Sequence, residues 1–221
     1  MTEIACEALL FDLDGVLIDS TSCIMRHWQE WTRQHGLEMA AVMEMAHGLR
    51  TVETMRLVAP HLDAEKEAER FTAVEVADTE GVVKIEGALE MLEGLPEGAW
   101  AIVTSGGREL AQARLRRAGL PVPEMLVSGD DVRRGKPAPE PYLVGAERLG
   151  KAAERYVVIE DAPAGIEAAR AAGMRVIGIA ATHSREELDC AAVVDRLSAL
   201  RIVVEEGNRL VVQIEKQGGA A

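Results

Sequence analysis

Cysteine is scarce in this chain. Cys6, Cys23 and Cys190 are its only three, and they lie far apart. An odd, scattered set does not make a disulfide framework, so a reducing, cytoplasmic setting is expected. Each thiol reads as a small buried hydrophobe. Long apolar runs are missing too: no stretch approaches the ~18 residues of a membrane-spanning helix. The opening MTEIACEALLFDLDG has no basic segment and carries acids within its apolar part, which does not fit a signal peptide. Positive charge is the third shortage. Lys and Arg number 24 against 37 Asp and Glu, a net charge of −13 with a pI near 4.9. That balance argues against nucleic acid and anionic membrane as partners. Internal repeats and low-complexity segments are absent as well. What remains, 48% hydrophobic and 28% charged, is ordinary globular composition. At ~150 residues per domain, the length suggests one domain with a sizeable insertion, or two small ones.

Short apolar runs alternate with helical patterns along most of the chain. Ala5–Phe11 reads as a buried strand that stops at the turn Asp12-Leu13-Asp14-Gly15. Trp100–Val103, Met125–Ser128, Tyr156–Ile159, Arg175–Ile179 and Ala191–Val194 read as further strands. Helical patterns cover Ile85–Leu95, Glu109–Ala118, Pro139–Leu149 and Ala164–Ala172. This alternation predicts an α/β fold, a Rossmann-like parallel sheet flanked by helices. From about 20 to 80 the pattern is helical without a strand, which predicts an inserted helical domain. The expected division is a core of 1–17 and 86–221 and an insertion of 18–85. Ile202–Val204 and Leu210–Ile214 flank a polar turn and predict a hairpin, placed at a sheet edge. The final residues, 217–221, are expected to be disordered.

Four polar clusters follow apolar strands directly: Asp12 with Asp14, Thr104 with Ser105, the loop of Lys136, and Glu160 with Asp161. Ligands of open parallel sheets bind outside the carboxyl ends of the strands, so the fold gathers these clusters. Singly each is weak, because a DxD turn, a Ser before Gly or a Lys-Pro pair is usually ordinary loop chemistry. Together they make a strong signal. Asp12, Asp14, Glu160 and Asp161 bring four carboxylates to one point, where they repel unless a cation sits between them. Oxygen donors without His or Cys suit Mg²⁺ rather than Zn²⁺. Thr104 or Ser105 supplies a hydroxyl, and Lys136 supplies a cation. The Gly106-Gly107 turn offers backbone N–H groups at a helix start. This set fits phosphoryl transfer through an aspartyl-phosphate, leaving open which of Asp12 and Asp14 attacks.

Phe11-Asp12-Leu13-Asp14-Gly15-Val16-Leu17, Val103-Thr104-Ser105-Gly106, Gly135-Lys136-Pro137 and Ile159-Glu160-Asp161-Ala162-Pro163-Ala164-Gly165-Ile166 resemble, in order and spacing, the four motifs of the haloacid dehalogenase superfamily. The likeness spans nearly the whole chain. The helical insertion resembles that superfamily's small α-helical cap. The subgroup most alike is that of sugar-phosphate and glycerol-phosphate phosphatases and β-phosphoglucomutase. The resemblance implies a Mg²⁺-dependent phosphatase of small phosphorylated sugars or polyols, either monomer or homodimer. It implies Asp12 as nucleophile and Asp14 as general acid and base. It implies Thr104 and Lys136 on the phosphoryl oxygens, and Asp12, Asp14 (through its carbonyl), Glu160 and Asp161 at the metal. His47-Gly48-Leu49-Arg50-Thr51 resembles the cap's specificity loop. His47, Gly48 and Arg50 are therefore expected at the substrate, together with Ser105, Gly106 and Arg108. Asp19-Ser20 resembles the hinge, where Ser20 is a natural cap for the first inserted helix. Trp28 and Trp31 have the spacing of a buried helix face.

The competing readings lose on particular residues. A phosphoglucomutase of this type carries a histidine near the start of the cap, where this chain has Ile24. A dehalogenase lacks the second aspartate of the first motif, yet Asp14 is present. A phosphonatase needs a cap lysine for a Schiff base, and Lys66 and Lys84 lie outside the specificity loop. Non-enzymatic binding modules on the same fold usually lose the nucleophile or a metal aspartate, and this chain keeps all four motifs.

Overall fold

The structure is a computed structural model that describes residues 2–46 and 48–215, with backbone alone for 44–46 and 208. The expectations for His47 and for 217–221 fall outside the described residues. The chain runs β1 (Thr2–Cys6), β2 (Ala8–Phe11), β3 (Ile18–Asp19), α1 (Thr21–His35), α2 (Met39–Ala46), α3 (Thr51–Val58), α4 (Ala64–Ala77) and β4 (Val83–Lys84). It continues through α5 (Ala88–Glu93), β5 (Trp100–Val103), α6 (Arg108–Ala118), β6 (Leu126–Val127), α7 (Glu140–Leu149), β7 (Tyr156–Glu160), α8 (Pro163–Ala171), β8 (Arg175–Ile179), β9 (Ala192–Val194), β10 (Leu200–Val204) and β11 (Leu210–Ile214).

The expected parallel sheet is present, with six strands in the order β6-β5-β2-β7-β8-β9. Its strands read as continuous apolar runs because both faces are covered. Leu9, Phe11, Ile102, Val157 and Ile159 pack on one face with Leu92 of α5 and Leu115 of α6. Ala8, Leu10, Val103 and Val158 pack on the other with Tyr142 of α7 and Ile166 of α8. After β2 the chain builds outward to β6, then returns to β7 on the opposite side of β2. The order reverses at β2, so the crevice beyond its carboxyl end is where a ligand belongs.

Three expectations need correcting. Ala5–Phe11 is not one strand: it divides at Glu7, whose N–H donates to Arg155 O at 2.9 Å. The C-terminal hairpin does not extend the main sheet. It forms a separate three-stranded sheet, β1-β11-β10, with Cys6 opposite Leu210. The break at Glu7 is what lets one stretch of chain serve both sheets. Leu200, Leu210, Val212 and Ile214 of the small sheet complete the α5/α6 face of the core. The helix expected over Ile85–Leu95 is also shorter, because Gly87 starts it at a φ of 85°.

The helical block α1–α4 has a core of its own, made by Trp28, Trp31, Val42, Met55 and Phe71. Trp28 and Trp31 meet edge to face at 5.3 Å, so both belong to that core as their spacing suggested. The block leaves and rejoins the sheet through paired strands, Ile18 opposite Lys84 and Asp19 opposite Val83. Cys6 and Cys23 are buried, and burial pushes the Cys6 thiol up to about 11.

Candidate active site

β2 delivers Asp12 to the switch point, where its N–H donates to Ile159 O at 3.0 Å. Lys136, from the loop before α7, is buried beside it. Its ammonium group donates to Asp12 Oδ1 at 2.5 Å, Glu160 Oε1 at 2.6 Å and Val103 O at 3.1 Å. The Tyr142 ring lies 5.1 Å away. Three donors meet three acceptors, which is how a buried lysine keeps its charge. Burial opposes that charge, but Asp12 and Glu160 hold the lysine well above its ordinary value. Burial pushes the Asp12 carboxyl up to about 7 against the pull of Lys136, with Glu160 and Asp14 adding to the rise.

The other carboxylates have separate stations. Glu160 Oε1 also accepts from Tyr142 OH at 3.0 Å, and Oε2 accepts from the N–H groups of Asp161 and Ala162 at 2.8 and 3.0 Å. Glu160 is thus engaged by four donors, and it lines the same cavity as Asp12 and Asp161. Gly165 makes room for it, because a Cβ there would lie 1.6 Å from Oε1. Asp161 accepts from Thr182 Oγ1. Burial, Glu160 and Asp12 push its carboxyl well above the carboxylate range. Gly15 closes the first motif against it with a φ of +81°, and a Cβ would lie 2.0 Å from Asp161 Oδ2. Asp14 turns away toward the helical block: Ser20 Oγ donates to its Oδ1 at 2.5 Å, and Arg114 Nη1 at 2.9 Å. Ser20 therefore spends its hydroxyl on Asp14 and not on capping α1. Among the described residues no three His, Cys, Asp or Glu are already gathered as a metal cage. Asp12 and Asp161 are nonetheless two buried oxygen donors short of positive charge, and that chemistry fits a hard divalent cation.

The second motif meets the helical block at close range. Ser105 Oγ donates to Gly48 O at 2.7 Å. Gly48, at φ +80°, approaches so near that a Cβ would lie 3.0 Å from that of Ala162. Thr104 Oγ1 accepts from Gly106 N–H at 3.2 Å. The start of α6 differs from expectation: Asp130 Oδ2 takes the Arg108 N–H at 2.7 Å, so a carboxylate of the chain already occupies that helix end. Asp12, Asp14, Gly48, Thr104, Ser105, Gly106, Glu160 and Asp161 all line one cavity of about 100 Å³.

Arg50 and Arg108, both expected at the substrate, are not among the residues lining that cavity. Arg108 pairs with Asp131 at 2.7 Å. Arg50 donates to Val132 O at 3.2 Å, Arg133 O at 3.0 Å and Glu53 Oε1 at 2.6 Å. Glu53 in turn accepts from Gly135 N–H at 3.3 Å. Arg50 thus clasps α3 to the loop that carries Lys136. Arg50→Ala is expected to cost about 1–2 kcal/mol, the scale of two to three lost hydrogen bonds. Faster amide exchange over 129–135 and 51–58 than in the parent is the reading that checks it. Unchanged exchange there would remove the clasp.

Sequence reasoning missed Arg114, Glu75 and Thr54, all buried and all lining the same cavity. Arg114 Nη2 donates to Glu75 Oε1 at 2.7 Å while Nη1 holds Asp14, which ties α4 to α6 and to the first motif. Burial pushes Glu75 up to about 7 against the pull of Arg114, with Asp14 adding to the rise. The signal was legible in part. Arg114 stands in the buried stripe Leu110, Ala111, Arg114, Leu115 of α6, and Glu75 follows Ala64 and Phe71 on the buried face of α4. A charge in an apolar stripe requires a partner.

A family profile described as haloacid dehalogenase-like hydrolase matches residues 9–179. Hexitol phosphatase A of Escherichia coli is 39% identical over 216 residues, covering 94% of this chain and 99% of that protein. Glycerol-1-phosphate phosphohydrolase 2 of Saccharomyces cerevisiae is 34% identical, covering 88% and 84%. The crystal structure of a hydrolase from Pseudomonas syringae superposes with a TM-score of 0.77 at 26% identity, covering 87% and 94%. The match runs from the Asp12 strand through β8 and takes in every residue of the crevice except Thr182. On the sheet, the four strand-end clusters and this match, the chain belongs to the haloacid dehalogenase-like hydrolases.

Proposed function

We propose that the protein is a Mg²⁺-dependent phosphatase of small phosphorylated sugars or polyols, working through an aspartyl-phosphate. The observation that carries this reading is the division of labour between the two aspartates. Asp12 Oδ1 is held by Lys136, which leaves Oδ2 as the attacking oxygen. Asp14 is held on the cap side by Ser20 and Arg114, where the leaving alcohol departs. Asp12 Oδ2 forms the bond to phosphorus as the ester P–O bond breaks, and Asp14 gives its proton to the departing alkoxide. Asp14 then takes a proton from the water that attacks phosphorus, and the Asp12–phosphorus bond breaks. Thr104 offers its hydroxyl to the phosphoryl oxygens, and the charge of Lys136, held 2.5 Å from Asp12 Oδ1, stabilises them. Asp12, Asp161 and the Asp14 carbonyl would hold Mg²⁺, which when bound neutralises phosphoryl charge. The cap over 18–85 excludes water, and Ser105 and Arg50 latch it.

Ile24 lines the cavity where a mutase of this type has histidine, and no histidine lines it among the described residues, which supports hydrolysis over phosphoryl return. A phosphate-release panel tests the reading, with hexose phosphates, hexitol phosphates, glycerol phosphates, phosphoglycolate and β-glucose 1-phosphate. Release is expected with Mg²⁺, lost in EDTA and restored by added Mg²⁺. No release from any of them by intact protein would overturn it.

A further inference from the structure

The cavity beyond Asp14 holds three buried polar groups whose hydrogen-bonding capacity is unspent. Thr54 Oγ1, Glu75 Oε2 and Arg114 Nε have no hydrogen-bond partner, and their residues are 0%, 3% and 4% exposed. All three residues line the space that contains Asp12 and Asp14. Buried polar atoms are almost always satisfied, so three orphans around one cavity require an explanation. Nothing else the fold does explains them: Arg114 already has its ion pairs to Asp14 and Glu75, and Thr54 lies on the inner face of α3. They lie on the leaving-group side, since the phosphoryl group belongs at Asp12 and Lys136.

We infer that Thr54, Glu75 and Arg114 form a subsite for the hydroxyl groups of an uncharged polyhydroxylated leaving group, and that it rejects leaving groups carrying a second anion. This rests on the phosphatase reading and narrows its substrate class. Glu75 Oε2 is an acceptor that calls for a hydroxyl donor, and Thr54 Oγ1 both donates and accepts. Arg114 offers its remaining N–H. Ile24 and Trp28 supply apolar wall for the C–H face of a polyol. Charge sets the exclusion. Glu75 and Asp14 flank the single guanidinium of Arg114, so a carboxylate or second phosphate there would meet two carboxylates and one cation. A site built around unspent hydrogen-bonding groups discriminates strongly against analogues that cannot fill them.

The test uses the Mg²⁺-loaded full chain, with glycerol phosphate, phosphoglycolate, fructose 1,6-bisphosphate and p-nitrophenyl phosphate. The intact enzyme is expected to prefer glycerol phosphate over phosphoglycolate and the bisphosphate by at least tenfold in kcat/KM. In Thr54→Val and in Glu75→Gln, the ratio of kcat/KM for glycerol phosphate to that for p-nitrophenyl phosphate is expected to fall at least tenfold. Thr54→Val deletes a hydroxyl without a partner, so its Tm should equal or exceed that of the parent, which a structural threonine would not allow. An unchanged ratio in both variants, equal use of phosphoglycolate, or a Tm several degrees lower in Thr54→Val would overturn the subsite. Thermal shift by the same ligands reads the subsite without turnover. Glycerol phosphate stabilising the parent more than phosphoglycolate does, and Thr54→Val less than the parent, while no phosphate is released from any compound, would sink the phosphatase reading and keep the subsite. Equal thermal shifts would sink the subsite.

Discussion

Asp12→Asn is expected to lower phosphate release on the order of 10⁴-fold or more, on every substrate alike, with the fold intact. Ten-thousandfold corresponds to about 5.5 kcal/mol of barrier, the scale on which removing a covalent nucleophile is felt. The size of the effect follows from what asparagine keeps. Its amide oxygen still accepts from Lys136 Nζ, which now lies 2.5 Å from Oδ1, so the packing of the crevice survives. What disappears is the carboxylate oxygen that attacks phosphorus in the proposed mechanism. Stability should move the other way. The Asp12 carboxyl is pushed up to about 7 by its burial and by Glu160 and Asp14, so its charge is held at a cost. Removing that charge relieves carboxylate crowding while Lys136 retains Glu160 at 2.6 Å. The melting temperature of Asp12→Asn in EDTA should therefore match or exceed that of the parent. Retained turnover in Asp12→Asn would move the nucleophile elsewhere, and a large fall in melting temperature would make Asp12 structural.

How much of this was legible before the structure depends on where each residue sits in its element. Asp12, Thr104, Glu160 and Asp161 stand directly after apolar runs. A parallel sheet brings such positions together whatever their separation in sequence, so the crevice could be read from strand ends. Lys136 was found in the same way, as the cation of a loop that follows an apolar run. Arg114, Glu75 and Thr54 stand in mid-helix, and nothing local says which helix faces will meet. The pairing of Arg114 with Glu75 depends on how α4 docks over α6. Arg50 shows the converse. Its place in the loop between α2 and α3 suggested substrate, but its two terminal nitrogens donate to the carbonyls of Val132 and Arg133. The hairpin, too, was recognised as an element and misplaced as a partner. Pairing was settled by the break at Glu7, which freed β1 to meet β11. Local pattern specifies elements, and tertiary contact decides which of their polar groups remain available for a ligand.

Lys136→Met should produce a large loss of stability. Methionine keeps most of the apolar stem and removes the one ammonium between Asp12 and Glu160. Both carboxylates then lie buried without their cation, and breaking a buried pair from one side typically costs about 3–5 kcal/mol. In a domain of this size that lowers Tm by on the order of 10 °C. Turnover should vanish with it, because the hydrogen bond that presents Asp12 Oδ2 to phosphorus is gone. The double variant Lys136→Met/Glu160→Gln separates charge from packing. The side-chain amide that Glu160→Gln introduces would still accept from the N–H groups of Asp161 and Ala162, which now bond Glu160 Oε2 at 2.8 and 3.0 Å, and it would carry no charge. If the penalty is electrostatic, the double variant should be more stable than the sum of the two single losses by at least about 1 kcal/mol. Denaturant melts of the four proteins in EDTA make the cycle. Strict additivity would mean that Lys136 holds the crevice by its bulk. A positive coupling would mean that the ammonium holds the crevice by its charge.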